Sequence, residues 1–430
     1  MSARSSVRIR KARSNGTSVL GPAVVLSCAG APEGDLNLVR NLGRRGVPVW
    51  VITEYAEAPS ITSRFCVGHR LVEGYTREPG RLLAVLRELR AELGVAPVIF
   101  ASADPDLAGL ITLHDALGDV MLSTVIDPDL SSVLSNKEAF DSLAQIHNLP
   151  VPRTWRLGRT VDTTLESIVD TAKFPLILKP AQLAAWQRAG LHTSLQDCKA
   201  WRADDEASLL PIAKSLQKIG AETLIQEFVP GPDENHVDVH AYVDRAGRVI
   251  ATYSGRKWRI APPHAGSGCF VETIADAELE AMGAEILTRI GYRGLANMNF
   301  KRHEQTGKWV LFEINPRVSQ WHILPTRSGV DLPWLAYCDA RGRDEMRVDN
   351  YRRVGLHYLN EARDWYALRG YRREGLWTFW RWLGQIFLLL LRGRLIFQLA
   401  DPRDPRPALV VLCRALQAKG KRLIVRLTPG

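Results

Sequence analysis

The sequence predicts an α/β protein that is built from more than one packed unit. Its 430 residues exceed the size of one ordinary hydrophobic core. An apolar fraction of 46% with 24% charged residues is typical of a globular chain. In the first hundred residues, short apolar runs alternate with helical patterns, as they do in a domain with a parallel sheet.

The first unit is predicted from three apolar runs and two helical patterns. The runs Ala23–Ser27, Val47–Ile52 and Val98–Ala101 are expected to be strands, and Leu36–Leu42 and Gly80–Leu93 are expected to be helices. Strands and helices that alternate at this spacing imply a Rossmann-like parallel sheet.

A dinucleotide site in this unit is the less favoured of two interpretations. Gly30 and Gly34 do not have the spacing of the GxGxxG fingerprint. Glu54, at the end of the second strand, has the position of a ribose-binding acid. We therefore expect a structural α/β domain here.

A second unit is predicted after a linker-like turn at Asp127–Leu130. Its first helix covers Lys137–Asn148, because Pro150 and Pro152 follow it directly. The remaining expected elements are a strand at Pro175–Leu178, a polar loop at Gln182–Lys199, a helix at Ala207–Ile219, strands at Thr223–Val229, Val237–Val243 and Val249–Tyr253, a helix at Ala277–Ile290, and strands at Leu295–Phe300 and Lys308–Ile314.

Two segments of the second unit carry residues that suggest chemistry. Lys179 ends the apolar run Leu176–Leu178, where an ammonium group is costly unless it meets an anion. Glu313 and Asn315 alternate along a strand, so they share a face, and Arg317 follows them. A lysine, two oxygen ligands and an arginine are what a site needs to hold a nucleoside triphosphate on Mg²⁺ beside a second anion.

The order of the motifs resembles that of the ATP-grasp superfamily, in the branch of carbamoyl-phosphate-synthetase-like and D-aspartate-ligase-like enzymes. The motifs are Asn136-Lys137, Ile177–Pro180, Ile225–Gly231, Asn297–Phe300 and Glu313–Arg317, and the resemblance extends from about Lys137 to Ala340. It implies a Rossmann-like pre-ATP-grasp domain and a two-lobed ATP-grasp domain, while the composition of the residues that follow predicts a helical, basic C-terminal extension.

Composition and the resemblance together suggest where these regions begin and end. We expect a disordered basic arm over residues 1–18, the pre-ATP-grasp domain over 19–130, the ATP-grasp domain over 131–340 with lobes at about 131–225 and 226–340, and the C-terminal region over 341–430.

The nucleotide-binding residues follow from the same resemblance. Lys179 is expected to contact the α- and β-phosphates, with a structural ion pair as the alternative. Lys137 is expected to be a first nucleotide-facing cation, with a solvated surface lysine as the alternative. The resemblance further implies that the adenine edge is recognised by Gln226, Glu227, Phe228 and Val229, and the ribose by Glu234 and His236.

ATP and two divalent ions, Mg²⁺ or Mn²⁺, are the cofactors that the resemblance implies. Glu313, Asn315 and Asn299 are the expected metal ligands. Asn299 departs from the family pattern, which usually has Glu or Gln at this position. This departure leaves open a second function, that of a non-catalytic, regulatory protein that binds nucleotides.

The implied reaction is phosphoryl transfer from ATP to a carboxylate, followed by attack of an amine on the acyl phosphate. Arg317 is expected to bind the developing oxyanion. Lys257 and Arg259 lie on a strand that is expected to face the same cleft, and one or both would neutralise the γ-phosphate or the substrate carboxylate.

The C-terminal quarter is basic and rich in tryptophan. From Cys338 to Gly430 there are 19 Lys and Arg against 9 Asp and Glu, which accounts for the net charge of +10 of the whole chain. The apolar run Trp382–Leu391 is too short to span a bilayer. Residues 364–400 therefore suit either an interfacial anchor on an anionic membrane or a helix packed on the core. Basic and aromatic residues also suit nucleic acid, but no binding module for it is recognisable.

The sequence indicates a cytoplasmic protein, peripheral on the inner face of the membrane if the anchor is real. Met1–Ser18 has five basic residues but no apolar segment of a secretory signal. The six cysteines form no CxxC pair, which argues against a zinc site or a disulfide framework.

Overall fold

The computed structural model describes residues 20–28, 32–157, 165–180, 200–343 and 353–427. Within these ranges the chain forms three β-sheets of five, four and seven strands, with helices packed against them. The mixed α/β and α+β fold class is therefore confirmed. The predicted basic arm and the loop Gln182–Lys199 lie outside the described residues, and the predicted domain bounds stay predictions.

The first sheet is parallel and has the strand order β3-β2-β1-β4-β5. Hydrophobic cores on both of its faces bury β1 and β2 completely, which explains their unbroken apolar sequences. The strands are β1 (Ala23–Ser27), β2 (Val49–Thr53), β3 (Cys66–Leu71), β4 (Val98–Phe100) and β5 (Leu122–Ser123), and the helices are α1 (Pro32–Arg44), α2 (Pro79–Leu93), α3 (Asp104–Thr112), α4 (His114–Leu117) and α5 (Pro128–Ser135).

The chain that follows the first sheet is helical where the sequence analysis predicts a linker-like turn. Asp127 caps α5, because its side chain accepts a hydrogen bond from the N–H of Leu130 at 3.0 Å. Pro128 occupies the first helical position, where its missing N–H does no harm. The prediction of a turn at Asp127–Leu130 was therefore wrong, since Asp-Pro also begins helices.

Glu54 has a structural role in the first unit. Its carboxylate accepts hydrogen bonds from the backbone N–H of Thr76 at 3.0 Å and from the Thr76 hydroxyl at 2.7 Å. These bonds hold the chain that follows β3 against the end of β2. They support the interpretation of this unit as a structural α/β domain.

The second sheet is antiparallel and has the strand order β6-β9-β7-β8. Its core consists of Leu176 and Leu178 of β7 together with apolar residues of the helices that cover it. Its elements are α6 (Lys137–Ile146), which precedes it, β6 (Thr154–Leu157), α7 (Leu165–Thr171), β7 (Leu176–Pro180), β8 (Trp201–Ala203), α8 (Glu206–Lys218) and β9 (Thr223–Glu227).

The third sheet has the strand order β14-β13-β10-β11-β12-β15-β16. Helix α9 covers one of its faces. The elements are β10 (His236–Val243), β11 (Val249–Ala261), β12 (Ser267–Ile274), α9 (Ala277–Arg289), β13 (Gly294–Arg302), β14 (Trp309–Asn315), α10 (Ile323–Ser328), α11 (Leu332–Ala340), β15 (His357–Leu359), α12 (Glu361–Arg373), α13 (Phe379–Leu391), β16 (Leu395–Phe397) and α14 (Arg406–Leu427).

The C-terminal region contributes strands as well as the predicted helices. β15 pairs antiparallel with β12, and β16 pairs parallel with β15, so this region extends the third sheet by two strands. Asp404 then forms a buried ion pair with Arg40 of α1, 3.0 Å apart. The strands β15 and β16 and the residue Asp404 of the C-terminal quarter are thus part of the folded body. Among the described residues, no helix is both long and apolar enough to cross a membrane.

A shared hydrophobic core joins the first unit to the third sheet. It contains Val25 and Phe100 of the first sheet together with Tyr242 and Tyr253 of β10 and β11. Alternate residues of a strand share a face, so the face that carries Tyr242 continues along β10 to Asp238. The first unit therefore borders the polar end of this face.

Candidate active site

A row of polar side chains crosses four strands of the third sheet. Strand register places Glu313 of β14 opposite Asn299 of β13, and Asn299 opposite Asp238 of β10. Strand β11 lies on the other side of β10 and contributes Lys257. Because opposite residues in an antiparallel sheet share a face, side chains that are distant in sequence meet in one line.

Hydrogen bonds connect the members of this row. The Lys257 ammonium lies 2.7 Å from the Asp238 carboxylate and donates to Oδ1 of Asn299 at 2.6 Å. Glu313 Oε1 accepts from Nδ2 of Asn299 at 2.9 Å and from Nδ2 of Asn315 at 3.0 Å. Lys257 and Asp238 are buried, whereas Glu313 is exposed. This polar row, formed by these five residues, has a closed, ion-paired end and an open end with a carboxylate.

Arg317 connects the polar row to the first unit. Its guanidinium donates to Oδ1 of Asn315 at 3.5 Å and forms an ion pair with Asp104, the first residue of α3. The Arg317 side chain is 12% exposed, but that of Asp104 is 69% exposed. An exposed carboxylate holds its partner weakly, so Arg317 can exchange Asp104 for another anion.

A β-bulge brings the second sheet to the polar row. Beside Glu313, β14 has one residue more than β13, and this additional residue is Phe312. Its ring centroid lies 5.2 Å from Nζ of Lys179 on β7 and 5.9 Å from the ring of His236. The face of an aromatic ring attracts an ammonium group. Lys179 is thus held at the open end of the polar row.

Lys179 is prepared to receive an anion. Burial lowers the pKa of its ammonium group to about 8. The negative charge of Glu313 opposes this shift, and the positive charge of Lys137 adds to it. Lys137, at the first position of α6, is exposed. An anion that bound beside Lys179 would stabilise its charged form. The structure therefore brings Lys179, Lys137 and Glu313 close enough to interact.

Lys301 is a site residue that the sequence analysis missed. It lies two residues after Asn299 on β13 and is buried, with Nζ 5.1 Å from the ring centroid of Phe228. Burial lowers the pKa of Lys301. Burial and the charges of Lys257 and Lys301 also lower the pKa of His236 to about 3, so His236 is neutral at pH 7. The alternation of residues 297, 299 and 301 would have identified Lys301.

The predicted adenine-binding segment follows the end of β9. Nε2 of Gln226 donates to the Thr154 hydroxyl at 3.0 Å, and the N–H of Phe228 donates to the carbonyl of Pro175 at 3.0 Å. Because the N–H of Phe228 is engaged, contact of that group with an adenine ring would require this bond to break. The N–H of Val229 is the better candidate, and its role stays a prediction.

Two carboxylates lie in or near this segment. Glu227, within it, is half-buried at the end of β9, and its N–H donates to the carbonyl of Arg153 at 3.0 Å. Glu234 follows it in the short 3-10 turn Asp233–Asn235, and this turn directly precedes His236. The turn places Glu234 and His236 at the start of β10, on the way from the adenine segment to the polar row. Their contacts with a nucleotide stay predictions.

The structure does not bring Arg259 to the polar row. Lys257 is opposite Val271 of β12, but Arg259 is opposite the neighbouring residue Phe270, whose side chain is on the other face of β12. A bulge at Trp258 therefore reverses which face the side chains of β11 occupy. Arg259 therefore lies on the other face of the sheet. This corrects the expectation that both cations face the same cleft.

Buried partners enclose Arg259 on that face. It makes a bidentate ion pair with Asp364 at 2.6 and 3.0 Å and donates to Gln385 at 2.7 Å. Its guanidinium also lies 4.1 Å from the ring centroid of Phe270 and 4.7 Å from that of Trp377. These contacts join β11 to α12 and α13, which is a structural role.

The oxygen atoms at the open end of the polar row fit a hard cation. Mg²⁺ is usually bound by one or two carboxylates, with substrate phosphates and water as further ligands. Glu313 is exposed and has Asn315 beside it. Asn299 fits less well, since its Oδ1 accepts from Lys257. Among the described residues, no group of three or more His, Cys, Asp and Glu side chains is placed to hold a metal ion, so phosphates would have to complete the ligand set.

Known proteins with similar sequences provide independent information. A family model described as "ATP-grasp in the biosynthetic pathway with Ter operon" matches residues 221–362. D-aspartate ligase from Enterococcus faecium is 27% identical over 322 residues, which cover 72% of this chain and 73% of that protein. The carbamoyl phosphate synthase large chain from Clostridium botulinum is 25% identical over 256 residues, which cover 54% of this chain and 22% of that protein.

Solved structures show the same fold. N5-carboxyaminoimidazole ribonucleotide synthetase, crystallised as its ADP complex, superposes with a TM-score of 0.57 at 14% identity. The superposition covers 79% of this chain and 81% of that one. At this identity the likeness shows the fold alone. Because it covers 79% of this chain, the fold likeness extends well beyond the segment that the family model matches.

Proposed function

We propose that this chain is an ATP-grasp ligase, to which its match to the family model and its similarity to D-aspartate ligase point, and that it uses ATP to join a carboxylic acid to an amine. The observation that carries this proposal is the convergence of Lys179, Glu313, Asn315 and Arg317 at one place in the fold. This set offers an ammonium for phosphates, oxygen ligands for a cation and a guanidinium for a second anion.

Lys179 and the residues near it bind the nucleotide in this proposal. Lys179 neutralises the α- and β-phosphates, and Lys137 approaches from the first turn of α6. The purine edge lies along residues 226–229, where the N–H of Val229 donates to it, and Glu234 and His236 contact the ribose. Neutral His236 is a suitable ribose neighbour, because it can donate and accept hydrogen bonds without adding charge.

Glu313 and Asn315 hold Mg²⁺ or Mn²⁺ in this proposal. The cation supplies charge neutralisation at the phosphates during transfer. Glu313 contributes the charged oxygen ligand, and Asn315 contributes an amide oxygen from the same strand face. Asn315 donates a hydrogen bond from Nδ2 to Oε1 of Glu313 at 3.0 Å, which keeps both side chains at the open end of the polar row.

Arg317 and Lys257 position the reacting groups. In the first step the substrate carboxylate attacks the γ-phosphorus of ATP, and ADP leaves as the acyl phosphate forms. In the second step the amine nitrogen attacks the acyl carbon, inorganic phosphate leaves, and the amine loses a proton. Arg317 exchanges Asp104 for the acyl phosphate. Catalysis then depends on position and charge, so no protein nucleophile is needed.

The reaction is tested by ADP release in the presence of pairs of acids and amines. The name of the D-aspartate ligase relative supports the inclusion of amino acids among the acids. We expect ADP release only when both substrates are present, and a loss of at least about 100-fold in Glu313→Gln. If the protein binds ATP with Mg²⁺ but releases no ADP with any pair, the ligase proposal fails. That result would favour the regulatory alternative, which the neutral Asn299 supports.

We further propose that the enzyme works at an anionic membrane surface, on a lipid-linked or cell-envelope substrate. Helix α13 packs on the core through Trp382, Ile386 and Leu389. Its other face exposes large apolar side chains, among them Trp380 at 75% and Leu391 at 69%. A helix that is packed on one side and also exposes large apolar side chains on the other favours a partner for the exposed side.

The charges around α13 favour anionic lipid as this partner. Arg381 lies on α13, Arg392 and Arg394 directly follow its end, and Arg369, Arg372 and Arg373 lie on the preceding helix α12; all six are exposed. Each basic residue near an anionic bilayer contributes about 1 kcal/mol. Tryptophan beside arginine at the edge of an apolar patch suits the interface between headgroups and acyl chains.

Vesicle flotation tests the membrane proposal. The full chain should float with vesicles that contain phosphatidylserine and not with pure phosphatidylcholine. Phe387→Ser and Leu391→Ser together should abolish flotation. Ile146→Ser is the matched control, because Ile146 is a 75% exposed apolar residue on a different helix. Flotation that survives the double substitution would contradict the proposal.

A further inference from the structure

Asn299 does not present an oxygen atom to the metal position. Its carboxamide has one oxygen and one NH₂ group, and the hydrogen bonds fix which is which. Oδ1 faces the Lys257 ammonium at 2.6 Å, and Nδ2 faces Glu313 at 2.9 Å. An ammonium group only donates hydrogen bonds, and a carboxylate only accepts them, so the reverse orientation would lose both bonds.

Lys257 is a fixed charge at this position. It is 6% exposed, and Asp238, its partner at 2.7 Å, is 1% exposed. To withdraw Lys257 would leave the Asp238 carboxylate buried without compensation, which is strongly unfavourable. The ammonium group therefore stays beside Asn299 when phosphates and a cation bind at Glu313.

The surrounding charges reduce the need for a second metal ion. Burial and the charges of Lys257, Lys301 and Lys179 lower the pKa of His236, against Asp233, so each of the three ammonium groups lies near enough to His236 to act on it. Asp238 is buried on β10, with the Lys257 ammonium 2.7 Å away. A second divalent cation between Asn299 and Asp238 would have to displace Lys257 or lie against it.

From these contacts we infer that this site holds one divalent cation, bound by Glu313 and Asn315, and that Lys257 supplies the second positive charge. The Oδ1 of Asn315 also accepts a hydrogen bond, but from Arg317 at 3.5 Å, which is long enough for a cation to replace it. Asn299 is then a positioning residue that connects Lys257 to Glu313, and not a metal ligand. This inference differs from the expectation of two ions with Asn299 as a ligand, and the two make different predictions for metal binding. The inference rests on the proposed nucleotide-binding function and specifies the charges that serve it.

Manganese binding tests the inference without any need for the substrates. Mn²⁺ is titrated into the full chain saturated with a non-hydrolysable ATP analogue, and free Mn²⁺ is counted by electron paramagnetic resonance. We expect one bound Mn²⁺ per protein–nucleotide complex. Two bound Mn²⁺ ions in the wild-type chain would overturn the inference. If the analogue itself does not bind, the nucleotide-binding proposal has failed instead.

A matched pair of substitutions separates a ligand from a positioning residue. Asn315→Ala should weaken Mn²⁺ binding by about tenfold or more, because it removes a ligand. Asn299→Ala should change the Mn²⁺ affinity less than about threefold, because Asp238 still holds Lys257. Equal losses in both variants would overturn the assignment of Asn299.

Removal of the Lys257 charge should increase the number of Mn²⁺ ions that bind. Lys257→Met frees the oxygen of Asn299 and the carboxylate of Asp238, so a second Mn²⁺ should bind. Lys257→Arg keeps the charge and should still bind one ion. Melting curves show whether Lys257→Met is folded. If it is not, the Asn299 and Asn315 pair still decides between the two assignments.

Discussion

Lys257 and Arg259 are two residues apart on β11, yet they belong to different parts of the molecule. On one face, Lys257 is the closed end of the polar row, whose other end is the exposed carboxylate of Glu313. On the other face, Arg259 is fully buried, with Asp364 and Gln385 as acceptors.

The polar row is an open cluster and the residues around Arg259 form a closed cluster. The two clusters differ in how many of their hydrogen-bond donors and acceptors remain available to a ligand. Around Arg259 the carboxylate of Asp364 also accepts from Nε1 of Trp382 at 2.6 Å, so charge and hydrogen bonds are contained within the fold. In the polar row, by contrast, the carboxylate of Glu313 is exposed to solvent. A closed cluster stabilises the fold, whereas an open one is available for ligands.

The largest effect is expected when the closed cluster loses its charge. Asp364→Asn leaves Arg259 buried without a counter-ion and should lower the free energy of unfolding by about 3–5 kcal/mol. Urea denaturation measures this change. The nucleotide affinity of the remaining folded protein should be unchanged, because the cluster lies on the other face.

A double substitution distinguishes lost charge from lost packing. Arg259→Met with Asp364→Leu removes both charges and keeps the apolar volume, so stability should return most of the way toward the wild-type value. If the double variant is as unstable as Asp364→Asn, the aromatic contacts of Arg259 and not its ion pair dominate.

The assignment of these two cations also shows what the sequence can determine. The strand β11 and the site residues Lys179, Glu313 and Asn315 could be predicted, because apolar runs, alternation and ordered motifs are local signals. The bulge at Trp258 could not, since it depends on how β11 pairs with β12. Register across strands likewise decides that Asn299 meets Lys257.

The C-terminal region gives a similar lesson. Its basic, aromatic composition predicted helices, and α12, α13 and α14 are present. Strands β15 and β16 have three residues each, and they pair with a sheet that is formed by distant parts of the chain. Elements this short have no periodicity to detect, so tertiary pairing alone reveals them.

Two substitutions at the open end should have opposite effects. Arg317→Lys removes the bidentate guanidinium and should lower the rate of ADP release by about 100-fold. Asp104→Asn removes the resident anion from Arg317, so the KM for the acid should fall modestly, by about threefold. Steady-state kinetics with both variants tests this. A rise in KM for Asp104→Asn would show that Asp104 positions Arg317 and does not compete for it.

The open cluster should also show a pH dependence that the closed one lacks. The pKa of Lys179 is about 8 in the free protein, and bound phosphates would raise it. ADP affinity should therefore be greatest below pH 8 and fall above it, by up to about tenfold per pH unit. Isothermal titration between pH 7 and 10 measures this slope.

Lys179→Arg is the control for that slope. Arginine stays charged over this range, so the fall in affinity above pH 8 should disappear while binding at pH 7 is weakened by the altered geometry. If the wild-type affinity does not change between pH 7 and 10, Lys179 does not contact the phosphates.

The smallest expected effect concerns His264, which connects the turn before β10 to the end of α12. His264 lies 3.1 Å from Asp233, which precedes Glu234, and 2.7 Å from Glu374 at the end of α12. Its hydrogen bond to Asp233, opposed by burial and assisted by Glu374, raises the pKa of His264 to about 9. The charged form is therefore favoured by folding.

The sign of the pH effect follows from that raised pKa. The stabilisation from His264 is fully present below about pH 6.5, the ordinary histidine pKa, and is lost as pH rises through about 9. Because the side chain is 54% exposed, we expect less than about 1 kcal/mol. Melting temperatures of wild type and His264→Gln should converge between pH 7 and 10. A constant difference across this range would mean that His264 acts through packing, and then the charge link between the adenine side of the site and α12 does not exist.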